Sequence, residues 1–68
     1  MADMTLLEAQ AAYQRGKLEG ERLYGTGAYM QYDQHLKIAD APGPAPYSRG
    51  FVDGWQLAHV MAGGRVGR

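Results

Sequence analysis

The chain is predicted to be an all-α protein built as a two-helix antiparallel hairpin, and three observations predict this fold. The phrase Tyr-x-Arg-Gly-x-x-acid-Gly-x-x-Leu occurs twice, from Tyr13 to Leu23 and from Tyr47 to Leu57. A helix-start pattern precedes the first copy, and a proline-rich connector separates the copies. Because a glycine inside a helix costs about 1 kcal/mol relative to alanine, paired glycines in both helices indicate close packing of their backbones.

The first helix is predicted over residues 5–24. Thr5 and Glu8 form a capping box, in which the threonine side chain accepts from the Glu8 N–H and the glutamate accepts from the Thr5 N–H. Gly25 and Gly27 follow the last apolar residues of the phrase, as glycines do just beyond a helix C-terminus. These signals define both ends of the first helix.

The middle of the chain, residues 25–46, divides into two parts. The first part has tyrosine and leucine at helical spacing and is compatible with a short helix over residues 28–38. These apolar positions are Tyr29, Tyr32 and Leu36. The second part is a connector, because proline at alternate positions favours extended backbone.

The second helix of the predicted hairpin covers residues 47–62. Pro46 fits the first turn of a helix, where the missing N–H of proline is harmless. The helix is expected to stop at Gly63 and Gly64, and residues 63–68 are expected to form a flexible tail.

Small residues four positions apart form one strip on each predicted helix, since such residues share a helix face. The two strips are Ala12, Gly16 and Gly20, and Gly50, Gly54 and Ala58. Antiparallel packing places Gly16 beside Gly54, Gly20 beside Gly50, and Ala12 opposite Ala58. Such strips allow the helix backbones to approach closely.

Length and composition predict that the protein gains stability from a partner or a second copy. A chain of 68 residues builds only a small core, and the absence of cysteine excludes disulfides and a thiolate metal site. An isolated hairpin also lacks a second layer. A homodimer is therefore expected, and the sequence leaves open whether the strips pack within or between chains.

Charge and motifs argue against several functional classes. The formal net charge is zero, which removes the long-range attraction that non-specific nucleic-acid binding needs. No apolar run is long enough for a membrane span, so a soluble cytoplasmic protein is expected. Ser48 lacks the context of an activated nucleophile, and His35 and His59 are isolated, so the chain is predicted to be neither an enzyme nor a cofactor or metal protein.

Arginines and aromatic residues are the candidate binding residues, because these types are enriched at interfaces. The candidates are Arg15, Arg22, Tyr24, Tyr29, Tyr32, Arg49 and Trp55. A structural alternative accompanies them: Arg15 and Arg49 are spaced to pair with the acids four residues on, Glu19 and Asp53. Trp55 is also spaced to pack in the core.

Two phrases resemble the ribosome modulation factor family of small bacterial proteins. The first is Ala12-Tyr-Gln-Arg15-Gly16-x-x-x-Gly20, and the second is Phe51-Val-Asp-Gly54-Trp55-Gln-Leu-Ala58. The resemblance covers both predicted helices and not the middle. It implies a two-helix protein that binds ribosomal RNA and protein near the messenger path and favours inactive ribosome dimers when growth slows.

Three hypotheses for function follow. The resemblance favours a ribosome-associated modulator of translation, which would meet nucleic acid only as ribosomal RNA. The neutral charge, small size and many tyrosines favour a phage-type or mobile-element-type protein that binds and inhibits a host protein. The third is an oligomer that sequesters a nucleotide or similar small ligand between arginine and tyrosine side chains.

Overall fold

The computed structural model describes residues 5–63, which form three helices and contain no strand. The helices are α1 (Leu6–Leu23), α2 (Tyr29–Asp40) and α3 (Pro46–Met61). The all-α prediction is confirmed. The tail predicted to be flexible lies, beyond Gly63, outside the described residues.

The predicted capping box defines the start of α1. The Thr5 hydroxyl accepts from the Glu8 N–H at 3.1 Å, and the Glu8 carboxylate accepts from the Thr5 N–H at 2.9 Å. At the other end, Tyr24 is the C-cap and Gly25 follows with a φ of 85°. That left-handed conformation favours glycine and ends the helix.

The segment between the repeated phrases is more ordered than a connector. Its helix, α2, runs to Asp40, two residues beyond the predicted end, and neither α2 nor α3 has a side-chain N-cap. Pro46 occupies the first turn of α3, as predicted. The extended connector is therefore confined to a few residues on either side of Gly43, whose φ is 109°.

The predicted antiparallel hairpin is wrong, because α1 and α3 run parallel. Gly16 lies against the backbone of Tyr47 and Phe51, and Gly20 lies one turn further on, against Phe51 and Trp55. Contacts that advance together along both helices define a parallel pair. Gly16 therefore does not face Gly54, and Gly20 does not face Gly50.

The length of α2 explains the parallel arrangement. Tyr32 stacks on Trp55 near the end of α3, whereas His35 stacks on Phe51 nearer its start, so α2 runs antiparallel to α3. Its 12 residues return the chain by about 18 Å. That distance brings α3 back alongside the middle of α1 and lets it run in the same direction.

The core centres on α3, which packs against both other helices. Its buried apolar side chains are Phe51, Val52 and Trp55, and Ser48 is buried beside them. The only buried residues of α1 are Gly16 and Gly20, and α2 has none. Thus α3 supplies the core side chains, while α1 supplies a smooth backbone surface and α2 a partial cover.

Candidate functional site

Four glycines form a reciprocal seam between α1 and α3. A side-chain carbon on Gly16 would overlap the carbonyl oxygen of Tyr47, and one on Gly50 would overlap that of Tyr13. One turn further on, Gly20 meets the Phe51 carbonyl and Gly54 meets the Lys17 carbonyl. Such approaches allow Cα–H to carbonyl contacts and leave no room for any side chain.

The seam relates the two phrases by an internal two-fold axis parallel to the helices. Each glycine contacts a backbone carbonyl of the other phrase. Gly50 lies 34 residues after Gly16, and Tyr47 lies 34 residues after Tyr13, so the contacts Gly16–Tyr47 and Gly50–Tyr13 are equivalent, with the two helices exchanged. Positions so related lie on opposite sides of the helix pair. Ala12 and Ala58, predicted to face each other, lie instead at opposite ends of the overlap, because the helices are parallel.

The candidate aromatic residues are gathered into one cluster around Trp55. Tyr32 stacks on the indole at a centroid distance of 4.8 Å, while Tyr24 and Tyr29 meet it edge to face at 5.5 Å and 5.6 Å. Trp55 is only 5% exposed. The indole is therefore a core group and not an accessible binding residue, as the structural alternative anticipated.

The three tyrosines of the cluster differ in how much of each side chain remains exposed. Tyr29 remains 64% exposed, whereas Tyr24 and Tyr32 are half-buried. Tyr24 shares a hydrogen bond with His59 Nδ1 at 2.7 Å, and Tyr32 accepts one from the Gln56 amide at 3.2 Å. Packing thus accounts for Tyr24 and Tyr32, and Tyr29 keeps most of its ring available for contact.

Sequence reasoning missed a polar pair between α2 and α3, in which Ser48 is buried and His35 is half-buried. His35 Nδ1 and the Ser48 hydroxyl share a hydrogen bond of 2.9 Å, and the imidazole stacks on Phe51 at a centroid distance of 4.3 Å. Burial lowers the pKa of His35. The 13-residue separation of the pair carried no local signal, because only the return of the chain through α2 brings its members together.

The two acids of the repeated phrase do not pair with the arginines of their own phrase. Glu19 binds Arg22 through a salt bridge of 2.5 Å, and Asp53 accepts a hydrogen bond of 2.5 Å from the Tyr13 hydroxyl across the seam. That hydrogen bond, together with burial and the negative charge of Asp53, raises the pKa of Tyr13. The predicted Arg15–Glu19 and Arg49–Asp53 pairs are absent from residues 5–63.

Arg15 and Arg49 are consequently exposed cations without an ion-pair partner among residues 5–63. The Arg49 guanidinium makes one long hydrogen bond, 3.5 Å, to the Gly43 carbonyl. The internal two-fold axis places the two arginines on opposite sides of the α1–α3 pair. Arg22 shares a helix face with Arg15, and its charge is compensated by Glu19.

Across the described part of the chain, no cluster of three or more His, Asp or Glu side chains is arranged to hold a metal ion. None of the three helices combines the length and the apolar character that a bilayer span requires. No protein-family model, curated protein or solved structure matches the chain.

Proposed function

We propose that this chain is a non-enzymatic, cytoplasmic binding protein that associates with ribosomes and modulates translation. The observation that carries the proposal is the repeated arginine of the two phrases. Arg15 and Arg49 are exposed, and the acid four residues after each is engaged elsewhere. An arginine that is free of ion pairs is suited to bind the phosphates of ribosomal RNA.

The roles of the other phrase residues support the same proposal. The glycines form the seam and Trp55 forms the core, so these shared residues are accounted for by folding. The arginines contribute to neither. A side chain that recurs in both phrases without a packing role is a natural candidate for recognition.

The geometry also limits how the contact is made. Because Arg15 and Arg49 lie on opposite sides of the helix pair, they do not converge on one phosphate. The two arginines would instead contact RNA at two separate points, or one arginine would contact RNA while the other contacts a ribosomal protein. With zero net charge, its affinity would depend on these local contacts and not on long-range attraction.

Sedimentation through a sucrose gradient tests the proposal. The full chain, mixed with ribosomes at low salt, is expected to migrate with them and to be released as salt rises. Arg49→Ala, and separately Arg15→Ala, should shift protein towards the top of the gradient while leaving helicity unchanged. Lys37→Ala is the matched control, because Lys37 is an exposed cation already paired with Asp33 at 3.3 Å.

Two results would contradict ribosome binding through the arginines. One is a wild-type protein that stays at the top of the gradient at low salt. The other is equal co-sedimentation of wild type, the arginine variants and Lys37→Ala.

A second candidate function, inhibition of a host protein, is favoured by the last turn of α3. Leu57, Val60 and Met61 share a face there and are 38%, 48% and 79% exposed. An apolar patch of this kind suits a protein partner better than RNA. A host protein captured stoichiometrically by wild type and lost with Met61→Glu would support this function, and equal capture by both would oppose it.

A further inference from the structure

An apolar stripe runs along the side of α1 that faces away from α3. Leu7, Ala11, Gln14 and Leu18 lie about 160–220° around the helix from Gly16. Leu7 is 77% exposed and Leu18 is 67% exposed, although each is a large apolar side chain. We call these four residues the outer stripe.

The spacing of the outer stripe is that of a coiled-coil seam. Its positions advance by four, three and four residues, which matches alternating d and a positions of a heptad. Glu8, Arg15 and Arg22 then occupy the e positions, and Gln10 and Lys17 the g positions. A stripe with this spacing matches another helix with the same spacing.

We propose that the outer stripe binds the outer stripe of a second copy of this chain, with the two α1 helices antiparallel. The four positions of the stripe are spaced symmetrically about the midpoint between Ala11 and Gln14. A second stripe that runs in the opposite direction therefore matches the first position by position. Leu7 then packs on Leu18 of the second copy, and Ala11 packs on its Gln14. The arrangement is isologous, so the interface closes at two copies.

The flanking charges select the antiparallel direction. In an antiparallel pair, e positions face e positions, so Arg15 lies opposite Glu8 of the second copy, and this attraction occurs twice. In a parallel pair, g positions face e positions, which places Lys17 opposite Arg22 of the second copy and repels. Arg15 thereby gains a partner that it lacks within residues 5–63.

The dimer and ribosome binding are tested separately. In the dimer Arg15 pairs with Glu8 of the second copy, whereas Arg49 lies on another side of the helix pair, takes no part in the outer stripe and stays free to bind RNA. The stripe offers four side chains of one helix, far fewer than the roughly 20–30 residues a side of a standard interface, so we expect weak association that appears only at high protein concentration.

Light scattering and sedimentation equilibrium between about 0.01 and 0.5 mM test the proposal without ribosomes. The mass of wild type is expected to rise from 7.4 kDa towards twice that value. Leu18→Glu should weaken association at least about tenfold with unchanged circular dichroism, because its exposed side chain is not needed for folding. Met30→Glu is the control, since Met30 is 78% exposed on α2 and should leave the dimer intact.

Single-cysteine variants test whether the two α1 helices of the dimer are antiparallel, since the chain contains no cysteine of its own. When Leu7→Cys and Leu18→Cys proteins are mixed and oxidised, the mixed disulfide should exceed both homodisulfides. In the antiparallel dimer, the same residue of the two copies, Leu7 and Leu7 or Leu18 and Leu18, would be about 16 Å apart along the helix axis. A monomeric wild type at 0.5 mM, equal weakening by Leu18→Glu and Met30→Glu, or a predominance of homodisulfides would overturn the proposal.

Discussion

The two contacts made by α3 differ in what they are built from. Against α1, backbone meets backbone at four glycines that occupy equivalent positions in the two phrases. Against α2, aromatic side chains meet aromatic side chains, and no residue of α2 is buried. The first contact excludes any added atom, whereas the second can adjust by moving rings. The seam therefore fixes the geometry of the protein, and α2 serves as an adaptable cover.

The largest effect is expected from adding a side chain to the seam. Gly54→Leu should abolish cooperative thermal unfolding, because its side chain would overlap the Lys17 backbone. Gly54→Ala should still lower the free energy of unfolding by about 3 kcal/mol or more, despite the better helix propensity of alanine. Gln31→Leu, at an exposed position of α2 outside the seam, should change it by less than about 0.5 kcal/mol. A stable Gly54→Ala protein would refute the close packing.

The aromatic contact should tolerate a change of size better than the seam does. Trp55→Ala is expected to cost about 3–5 kcal/mol, whereas Trp55→Phe, which keeps a ring between Tyr32 and the core, should cost less. Hydrogen exchange should show protection lost first in α2, because the indole is its main support. If Trp55→Phe were as harmful as Gly54→Ala, the two contacts would not differ in adaptability.

A smaller effect is expected at the hydrogen bond that spans the seam. Tyr13→Phe removes the donor to Asp53 and should lower the free energy of unfolding, measured with urea, by about 0.5–1.5 kcal/mol. The matched control is Tyr29→Phe, whose exposed hydroxyl makes no hydrogen bond among residues 5–63. Equal stability of the two variants would show that the bond contributes nothing.

The smallest effect concerns pH and the α2 contact. Because burial lowers the pKa of His35, the folded protein favours the neutral imidazole. The stability that the neutral imidazole contributes to the folded protein is fully present above the unfolded-state pKa of about 6.5. It is lost as the pH falls from there towards the lower pKa of the folded state. The groups of α3 that face the ring are Tyr47, Ser48 and Phe51, and none of them is a carboxylate.

Urea titrations of wild type and His35→Gln at pH 7.5 and pH 5.5 measure this contribution. Wild type should lose more stability on acidification than the variant does, since other groups titrate equally in both. Gln34→Ala is the control and should follow wild type, because Gln34 is exposed on α2 and the change alters no titratable group. Identical losses in wild type and His35→Gln would remove His35 as the source of the pH dependence.

Local signals predicted the helices well and their contacts unevenly. The Thr5–Glu8 capping box and Pro46 were found where their sequence patterns indicated, because such signals act within one turn. The pairing of Glu19 and Asp53 was mispredicted, since an acid four residues from an arginine can also reach other partners. Arg22 lies closer along the helix to Glu19, and Tyr13 reaches Asp53 only once α1 and α3 are side by side.

The candidate site was predicted in part for the same reason. The arginines were identified as exposed residues of both phrases, and exposure needs little knowledge of the fold. The contacts of Tyr29 and Tyr32 with Trp55 depend on α2 returning across α3, and that of Tyr24 depends on α1 lying parallel to α3, which spacing within a single helix does not reveal. The role of each aromatic residue therefore followed from topology.

The sequence by itself determined that the chain is helical, where its helices begin and end within about two residues, and that glycines form their contact. These properties depend on propensity, capping and spacing, which are local. Only the tertiary structure determined that α1 and α3 are parallel, because glycines at i and i+4 fit a parallel and an antiparallel partner helix equally well. The 12-residue return through α2 makes α1 and α3 parallel, and this arrangement brings the Tyr13 hydroxyl to Asp53 across the seam.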